Sequence, residues 1–492
     1  MTDVIPFGLL VTGFALAAIV AVLSNRLGER LRIPTPIFFL VFAAIASDLF
    51  PRLGELQITT VQRIVTIALV VILFDGGMGI GRRRWHTAAG AIVWLGVAGT
   101  LVTAGALAVA CHLLFDLNWL TSLLIGTALA PTDPVMVFSV LGRRHIGGRS
   151  GLILEGESGV NDPVGIALLA SLLAGAEVTG WGAVGTGIRE FALQMGVGGA
   201  VGLVSGVALT AFIRRVPLPS EGLYPVRTLA AAFAIYGIAT IAHGSGFLAV
   251  FVAGIMIGDV RAPYKGDIER FHTSLASLGE IVAFTVLGLT VPLHTLPDGN
   301  AWLIGLALAV LLALVIRPVL IGLLLWPVDL TRGERLFVLW GGLKGAVPIL
   351  LGTFVLASGQ PEASRIYAII FVVVTFSVVV QGGLVPVVAR LGHVPMRPVA
   401  PEPWSLGVRL QHEPRGLHRY EIAPGAPASG RALEDLDLGE GVWLTALIRA
   451  GALVQVRGET VLQAGDEILA LVDPDHGADP APLFNRPGAD SP

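Results

Sequence analysis

The sequence predicts an all-α, polytopic membrane protein of about thirteen transmembrane helices, followed by a small cytoplasmic α+β domain. Three observations predict it. Hydrophobic residues make up 54% of the 492 residues and charged residues only 14%, against about 25% charged in soluble domains. Apolar runs of roughly 20 residues, the length that crosses a bilayer, recur along most of the chain. Beyond residue 391 the pattern changes, and a Pro-rich stretch gives way to short alternating segments.

Taken in order, spans are expected at 7–23, 36–50, 61–79, 88–112, 120–141, 151–174 and 191–213, then at 226–243, 246–259, 278–293, 301–326, 335–357 and 364–391. The loops supply an independent check. Odd-numbered spans are followed by Arg-rich segments such as GRRRWH, GRRHIGGR and TRGER. Even-numbered spans are followed by segments nearly free of Arg and Lys, such as FDLNW, HGSG and ASGQPEAS. The positive-inside rule then places the N-terminus outside and the C-terminus in the cytoplasm of a cell (plasma or inner) membrane. The expected domains are 1–392 for the membrane part, 393–417 for a Pro-rich linker, 418–474 for the α+β domain and 475–492 for a disordered tail. Within the third, HRYEIA, VWLTALIR, ALVQVR and EILALV read as strands and RALEDLD as a short helical piece.

Several function classes drop out. A net charge of −3 gives no support to a nucleic-acid partner. The single cysteine, Cys111, excludes an internal disulfide and a cysteine metal cluster. No HExxH, GxSxG or Walker-type motif is present, so no enzyme is expected. The first residues, MTDVIPFGLL, lack a basic n-region, so the first apolar run is expected to stay as a span.

Intramembrane polar residues carry the chemistry, because a charge at bilayer depth costs about 2.5–3.5 kcal/mol on insertion scales. The sixth span contains GESGVNDPVGIAL, with Glu157 and Asn161 on one face and Asp162 one step further round. A carboxylate removed from water takes up a proton or holds a monovalent cation, and Asp162 is suited to both in turn. Asn161 adds a neutral ligand or donor. The fifth span contains APTDPV, where two prolines bracket Thr132 and Asp133 and must open the helix. Open backbone at this depth survives only where it is buried in protein or lines a polar cavity. The twelfth span contains GLKGAVPI, where glycines, Lys344 and Pro348 predict a second break. A buried ammonium requires a carboxylate partner, with Glu157 the first choice and Asp162 the second.

The two breaks fall on the fifth member of each six-span unit, if the units run over spans 1–6 and 8–13. This is an inverted-repeat pattern in which crossed, broken helices form an ion site at the midplane. Arg317 and Asp75 are secondary candidates: Arg317 is read as a structural residue, and Asp75 as a helix-end residue or funnel lining. Glu155 is read as a residue of the cytoplasmic entrance, and His112 and His243 as interfacial. The small residues of GVGGAVGLVSGVAL in span seven favour close helix packing and a homodimer contact.

Together LFDGGM, APTDPV, GESGVNDPVGIAL and GLKGAVPI, in this order over residues 5–395, resemble the monovalent cation:proton antiporters of the NhaP/NHE type. The resemblance implies a secondary antiporter of K+ or Na+ against H+, with the cation and proton alternating on Asp162. Asn161 would stand beside it, with Thr132 and Asp133 in the unwound crossing, the Ser158 hydroxyl contributing, and Glu157 paired with the basic residue of span twelve. Relatives with Asn-Asp at this point exchange electroneutrally. The family commonly has Arg where this chain has Lys344, and a buried lysine can release its proton where an arginine does not. Titration of Lys344 would alter a one-to-one stoichiometry. Residues 421–473 resemble the C-terminal half of RCK potassium-regulatory modules, which tilts the cation towards K+ and implies a small ligand or nucleotide. No strand–GxGxxG–helix precedes them, so no cofactor is expected. The competing readings are a ligand-regulated cation channel, for which no TVGYG-like filter run is present, and a membrane sensor without transport.

Overall fold

The computed structural model describes residues 34–398 and 417–485 together with residues 8 and 12, except for short breaks at 142–143, 147–148, 177, 179–180, 261, 292, 297, 439–440, 450–451 and 474–479. The chain divides into two compact units, Met1–Pro403 and Trp404–Pro492. Apart from residues 8 and 12, the expected first span at 7–23 lies outside the described residues, as do the linker residues 399–416.

The first unit is helical. In chain order its helices are α1 (Thr35–Leu49), α2 (Ile58–Val93), α3 (Thr100–Phe115), α4 (Trp119–Leu129), α5 (Pro134–Leu141), α6 (Arg149–Ala176), α7 (Trp181–Arg215) and α8 (Leu223–Ile241). They continue as α9 (Gly246–Gly258), α10 (Lys265–Leu289), α11 (Ala301–Leu311), α12 (Gly322–Leu324), α13 (Arg332–Trp340), α14 (Ala346–Ala357), α15 (Ala363–Phe376) and α16 (Gly382–Leu391). Each of the other twelve expected spans coincides with one of these helices or with two in succession. Among the described residues, eight helical segments are long and apolar enough to cross a membrane. The shorter apolar helices include α1, α9 and α14.

Local chemistry explains the departures from straight helices. Helix α2 continues through the expected loop GRRRWH, and the only interruption is Gly81, with φ 66° and ψ 165°. Such a backbone favours glycine. Helix restarts behind it, where Asp259 Oδ2 accepts from Arg83 N at 2.6 Å and so caps the freed donors. Three further joints are π-helical: Trp94–Gly99, Leu312–Ile321 and Ser377–Gln381. The first two fall in the fourth span of each six-span unit, in keeping with the repeat. In the second, Pro318 cannot donate to the ladder, and the turn widens around Arg317.

The small residues of span seven pack within the chain. A Cβ on Gly198 would come within 2.6 Å of Ser245 O, and one on Gly202 within 2.6 Å of Ala249 O. Gly206 meets Met256 and Ala253 in the same way. The stripe therefore seats α9 against α7, the close helix packing expected of it.

A two-stranded antiparallel sheet joins β1 (Arg144–Ile146) to β2 (Met396–Pro398), with His145 opposite Arg397. The start of the expected extended linker is thus paired to the loop after the first broken helix.

The second unit is a four-stranded antiparallel sheet, order β3-β6-β4-β5, of β3 (Leu417–Glu421), β4 (Val442–Arg449), β5 (Ala452–Val454) and β6 (Glu467–Val472). All four fall on the strands read from the sequence, and the helical piece is a single 3-10 turn at Leu433–Asp435. In β6, Ile468, Ala470 and Val472 alternate inward and meet Ile422, Leu433, Leu447 and Leu462 in one core. One expectation is corrected. Within the presumed disordered tail, Ala481–Phe484 form a short helix α17, and Phe484 is fully buried in that core. An aromatic side chain buries enough apolar surface to order such a segment.

Asp466 joins β6 to the turn before it. Arg449 donates to both of its oxygens at 2.8 Å, and Gln463 N donates at 2.7 Å. Burial works to raise the Asp466 carboxyl, but these hydrogen bonds outweigh it and hold it below its ordinary value of 3.8. The stabilisation is therefore complete above that value and is lost as pH falls through the lower folded value. We expect Asp466→Asn to weaken this unit by about 1.5–3 kcal/mol at neutral pH, seen as faster hydrogen exchange of the β4 and β6 amides in the full chain. The variant should also lack the loss of protection on acidification that the wild type shows.

Candidate functional site

Two interrupted helices meet in the middle of the first unit. The first runs α4, an open stretch at 130–133, then α5; the second runs α13, an open stretch at 341–345, then α14. Pro131 and Pro134 account for the first opening, and the glycines around Lys344 for the second. The open stretches touch directly, since Asp133 N donates to Leu343 O at 2.7 Å. Gly345 leaves room for this approach: a Cβ there would overlap the Asp133 carboxylate. Both breaks expected from the sequence are thus present, and they cross.

Each open end needs polar partners, because an unpaired peptide group in an apolar surrounding costs roughly 2–7 kcal/mol. Lys344 Nζ donates to Ala130 O and Pro131 O, both at 3.0 Å, and so closes the C-terminal end of α4. A cation at that end also complements the helix dipole. Asp133 Oδ1 accepts from Val135 N at 2.9 Å and caps α5. Arg317 Nε donates to Leu339 O at 2.9 Å and Nη2 to Val338 O at 3.2 Å, which closes the C-terminal end of α13.

The buried ion pair differs from the expected one. Glu157 is paired with Arg317, not Lys344: Nη1 reaches Oε1 at 3.0 Å and Nη2 reaches Oε2 at 3.2 Å. Both side chains are 4% exposed. The planar guanidinium fits the carboxylate with two bonds and still has donors for the two carbonyls, which an ammonium cannot match. Neither expected carboxylate is hydrogen-bonded to Lys344, whose partners are backbone oxygens.

Helix α6 brings the remaining residues to the crossing. Asn161 Nδ2 donates to Thr132 Oγ1 at 2.8 Å, and Thr132 N donates to Asn161 Oδ1 at 3.4 Å, a two-point clasp between α6 and the first break. Asp162 is 7% exposed and Ser158 6%. Asp162 lies within electrostatic reach of Asp133 and Lys344, yet it takes no hydrogen bond or ion pair from any described residue. Pro163 follows inside α6 and leaves the Gly159 carbonyl without its helical donor. Asp162, Asp133, Thr132 and Asn161 are therefore brought together, and Ser158 is buried one helical turn before Asp162 on α6. Asp75 is not among them: it accepts from Thr273 Oγ1 at 3.0 Å, away from the crossing. Glu155, expected at an entrance, stands 3.5 Å from Arg84.

Three residues were missed in the sequence. Ser377 Oγ accepts from Lys344 N at 3.1 Å and donates to Gln381 Oε1 at 3.0 Å, and Gln381 Nε2 donates to Trp340 O at 2.8 Å. The pair SVVVQ, polar at helical spacing inside an apolar span, was the available signal. Glu280, within GEIVAFTVLGL of α10, faces the charge of Asp133. An acid just inside the start of an expected span was the signal there.

A polytopic membrane protein with discontinuous helices crossing beside a buried carboxylate is the class of secondary transporter that binds its ion at such a crossing. Residues 14–391 match the transmembrane sodium/hydrogen exchanger family, and residues 417–484 match the TrkA-C domain. The chain belongs to the sodium/hydrogen exchanger family and carries a TrkA-C domain. It is 33% identical over 463 residues to a K(+)/H(+) antiporter NhaP2 of Shewanella sp. (strain ANA-3), covering 93% of this chain and 80% of the relative. It is 29% identical over 344 residues to a Na(+)/H(+) antiporter NhaH of Halobacillus aidingensis, covering 67% of this chain and 83% of the relative. The fold is similar to that of the sodium proton antiporter MjNhaP1 from Methanocaldococcus jannaschii, with a TM-score of 0.66 and 21% identity over 78% of this chain and 98% of the other.

Removing one partner of the Glu157–Arg317 pair leaves a buried charge, so Arg317→Met should destabilise the first unit by about 3–5 kcal/mol. Combining it with Glu157→Gln should recover part of that loss. A double-mutant cycle on the thermal unfolding of detergent-solubilised protein measures the coupling; Glu157→Gln combined with Lys344→Met should show the smaller coupling of the two pairs.

Proposed function

We propose that this chain exchanges a monovalent cation for protons across the membrane, with Asp162 as the group that carries each in turn. One observation carries this reading: at the crossing, Asp162 is the buried carboxylate that makes no hydrogen bond or ion pair with a described residue, while Glu157 and Asp133 are committed to structural bonds. A carboxylate in that position is stable only when neutralised. Ionised, it holds a cation; when the cation leaves, it takes a proton; it does not hold both. Thr132 and Ser158 hydroxyls and the Gly159 carbonyl are neutral oxygens suited to the rest of the cation's shell. Lys344 and Asn161 position the break rather than exchange ions.

Alternating access follows if the helices bearing the crossing move against the rest of the bundle, opening Asp162 to one side at a time. K+ is favoured over Na+. The relative named for K+ aligns with 93% of this chain, its C-terminal part included, whereas the one named for Na+ aligns with 67%. The TrkA-C domain is read as a regulatory unit for a small ligand. The Arg-rich loops favour a cytoplasmic C-terminus in the cell membrane, and a homodimer is the favoured assembly.

The test is exchange in proteoliposomes under an imposed pH gradient. We expect cation flux with K+ at least equal to Na+ and Li+, no dependence on membrane potential for one-to-one exchange, and loss of flux in Asp162→Asn. Undiminished flux in a well-folded Asp162→Asn protein would sink the assignment of the exchange site. Lys344→Arg should keep flux if Lys344 only holds the Ala130 and Pro131 carbonyls; its loss in folded protein would mean that the lysine itself titrates.

A further inference from the structure

Glu280 is not used by the crossing as described, yet its Oε1 is buried without a hydrogen-bond partner. The residue is half-buried on α10, within electrostatic reach of Asp133. From it a polar stripe runs back along the helix. Ser277, Thr273 and Glu269 follow at spacings of three and four residues, which places them on one face, and all three are exposed. Thr273 binds Asp75 across from α2, and Glu269 stands 3.1 Å from Lys265 at the helix start. Ionisable side chains within a membrane helix face protein or a water-filled cavity rather than lipid, and Glu280 and Glu269 mark this face as such a one.

Other charges bear little on Glu280. Helix α14, packed on α10, has no titratable residue, and α1 has only Asp48, which stands 3.1 Å from His294 beyond the far end of α10. On α8, Arg227 lies beside the Thr228–His272 contact near the Lys265 end. On α2, Arg63 is exposed and Asp75 is bound to Thr273. Near the crossing, Asp133, Asp162 and Glu280 are set against Lys344, since Glu157 and Arg317 neutralise each other. The excess of carboxylates concentrates cations there.

We propose that this face of α10 lines the cation's route between the Lys265 end of the helix and Asp162, with Glu280 as its innermost carboxylate. Under the proposed orientation this is the cytoplasmic route. Glu280 offers an oxygen to a partly dehydrated cation before it reaches Asp162, so it sets apparent affinity rather than the exchange step itself. The inference rests on the exchange reading above.

Two measurements test it. In proteoliposomes, Glu280→Gln should raise KM for the transported cation about tenfold with the maximal rate largely kept, and Glu280→Asp should restore KM. An unchanged KM in Glu280→Gln overturns the role. In a Cys111→Ala background, which removes the chain's one cysteine, Ser277→Cys should react with a membrane-impermeant cationic thiosulfonate, and the reaction should block exchange. An unreactive cysteine in folded protein, or a labelled protein with full exchange, overturns the route. If the wild type exchanges no cation at all, the functional reading falls instead, and labelling of Ser277→Cys in the purified protein still reports whether the face is hydrated.

Discussion

Everything at the centre of this protein depends on how three helix ends at the crossing are closed where water is scarce. Interrupting α4/α5 and α13/α14 exposes peptide groups that would each cost several kcal/mol if left bare. The chain closes them with charged side chains from elsewhere. Lys344, on the second break, serves the carbonyls of the first, and Arg317 serves those of α13. Asp133 caps α5 and hands its own N–H to Leu343. The breaks thereby hold each other open, and neither would be stable without the other.

That reciprocity has a chemical consequence. Once Arg317 has neutralised Glu157, Lys344 has been spent on carbonyls and Asp133 on a cap, Asp162 remains with its oxygens uncommitted. A structural network that satisfies its neighbours leaves this carboxylate without a hydrogen bond or ion pair from any described residue. Asn161 bonded to Thr132 keeps α6 in register with the break, and with it the backbone that carries Asp162.

Around this centre the packing is built on close backbone approach. The small residues of α7 let α9 lie against it, and Gly77 and Gly254 bring α9 so close to α2 that an added Cβ on either would stand 2.5 Å from a carbonyl oxygen of the other helix. Without a hydrophobic driving force inside a bilayer, such contacts supply the association. The TrkA-C unit follows the opposite rule: its sheet is held by apolar alternation around Leu447, Leu462 and Phe484, with the Arg449–Asp466 pair where the central strands β4 and β6 meet the turn before β6.

Much of this was legible in the residues. Twenty-residue apolar runs, Arg-rich loops and strand alternation are local properties, and local physics places helices over twelve expected spans and strands over all four expected segments. The breaks were legible too, because proline and glycine act on their own backbone. The small-residue stripe was visible, but which surface would cover it was not; α9 does, from elsewhere in the same chain. Phe484 was lost in a tail that reads as polar, since only the folded sheet offers it a core. The partner of Glu157 was misread for the same reason. Lys344 and Arg317 are both intramembrane cations far from Glu157 in sequence, and choosing between them requires knowing which one the crossing turns towards the carboxylate. By itself, the sequence determined that this is a membrane protein with two broken helices and a buried Asp162. Only the tertiary structure decided which cation neutralises which charge, because pairing in a low-dielectric interior depends on distances between helices that no local pattern encodes.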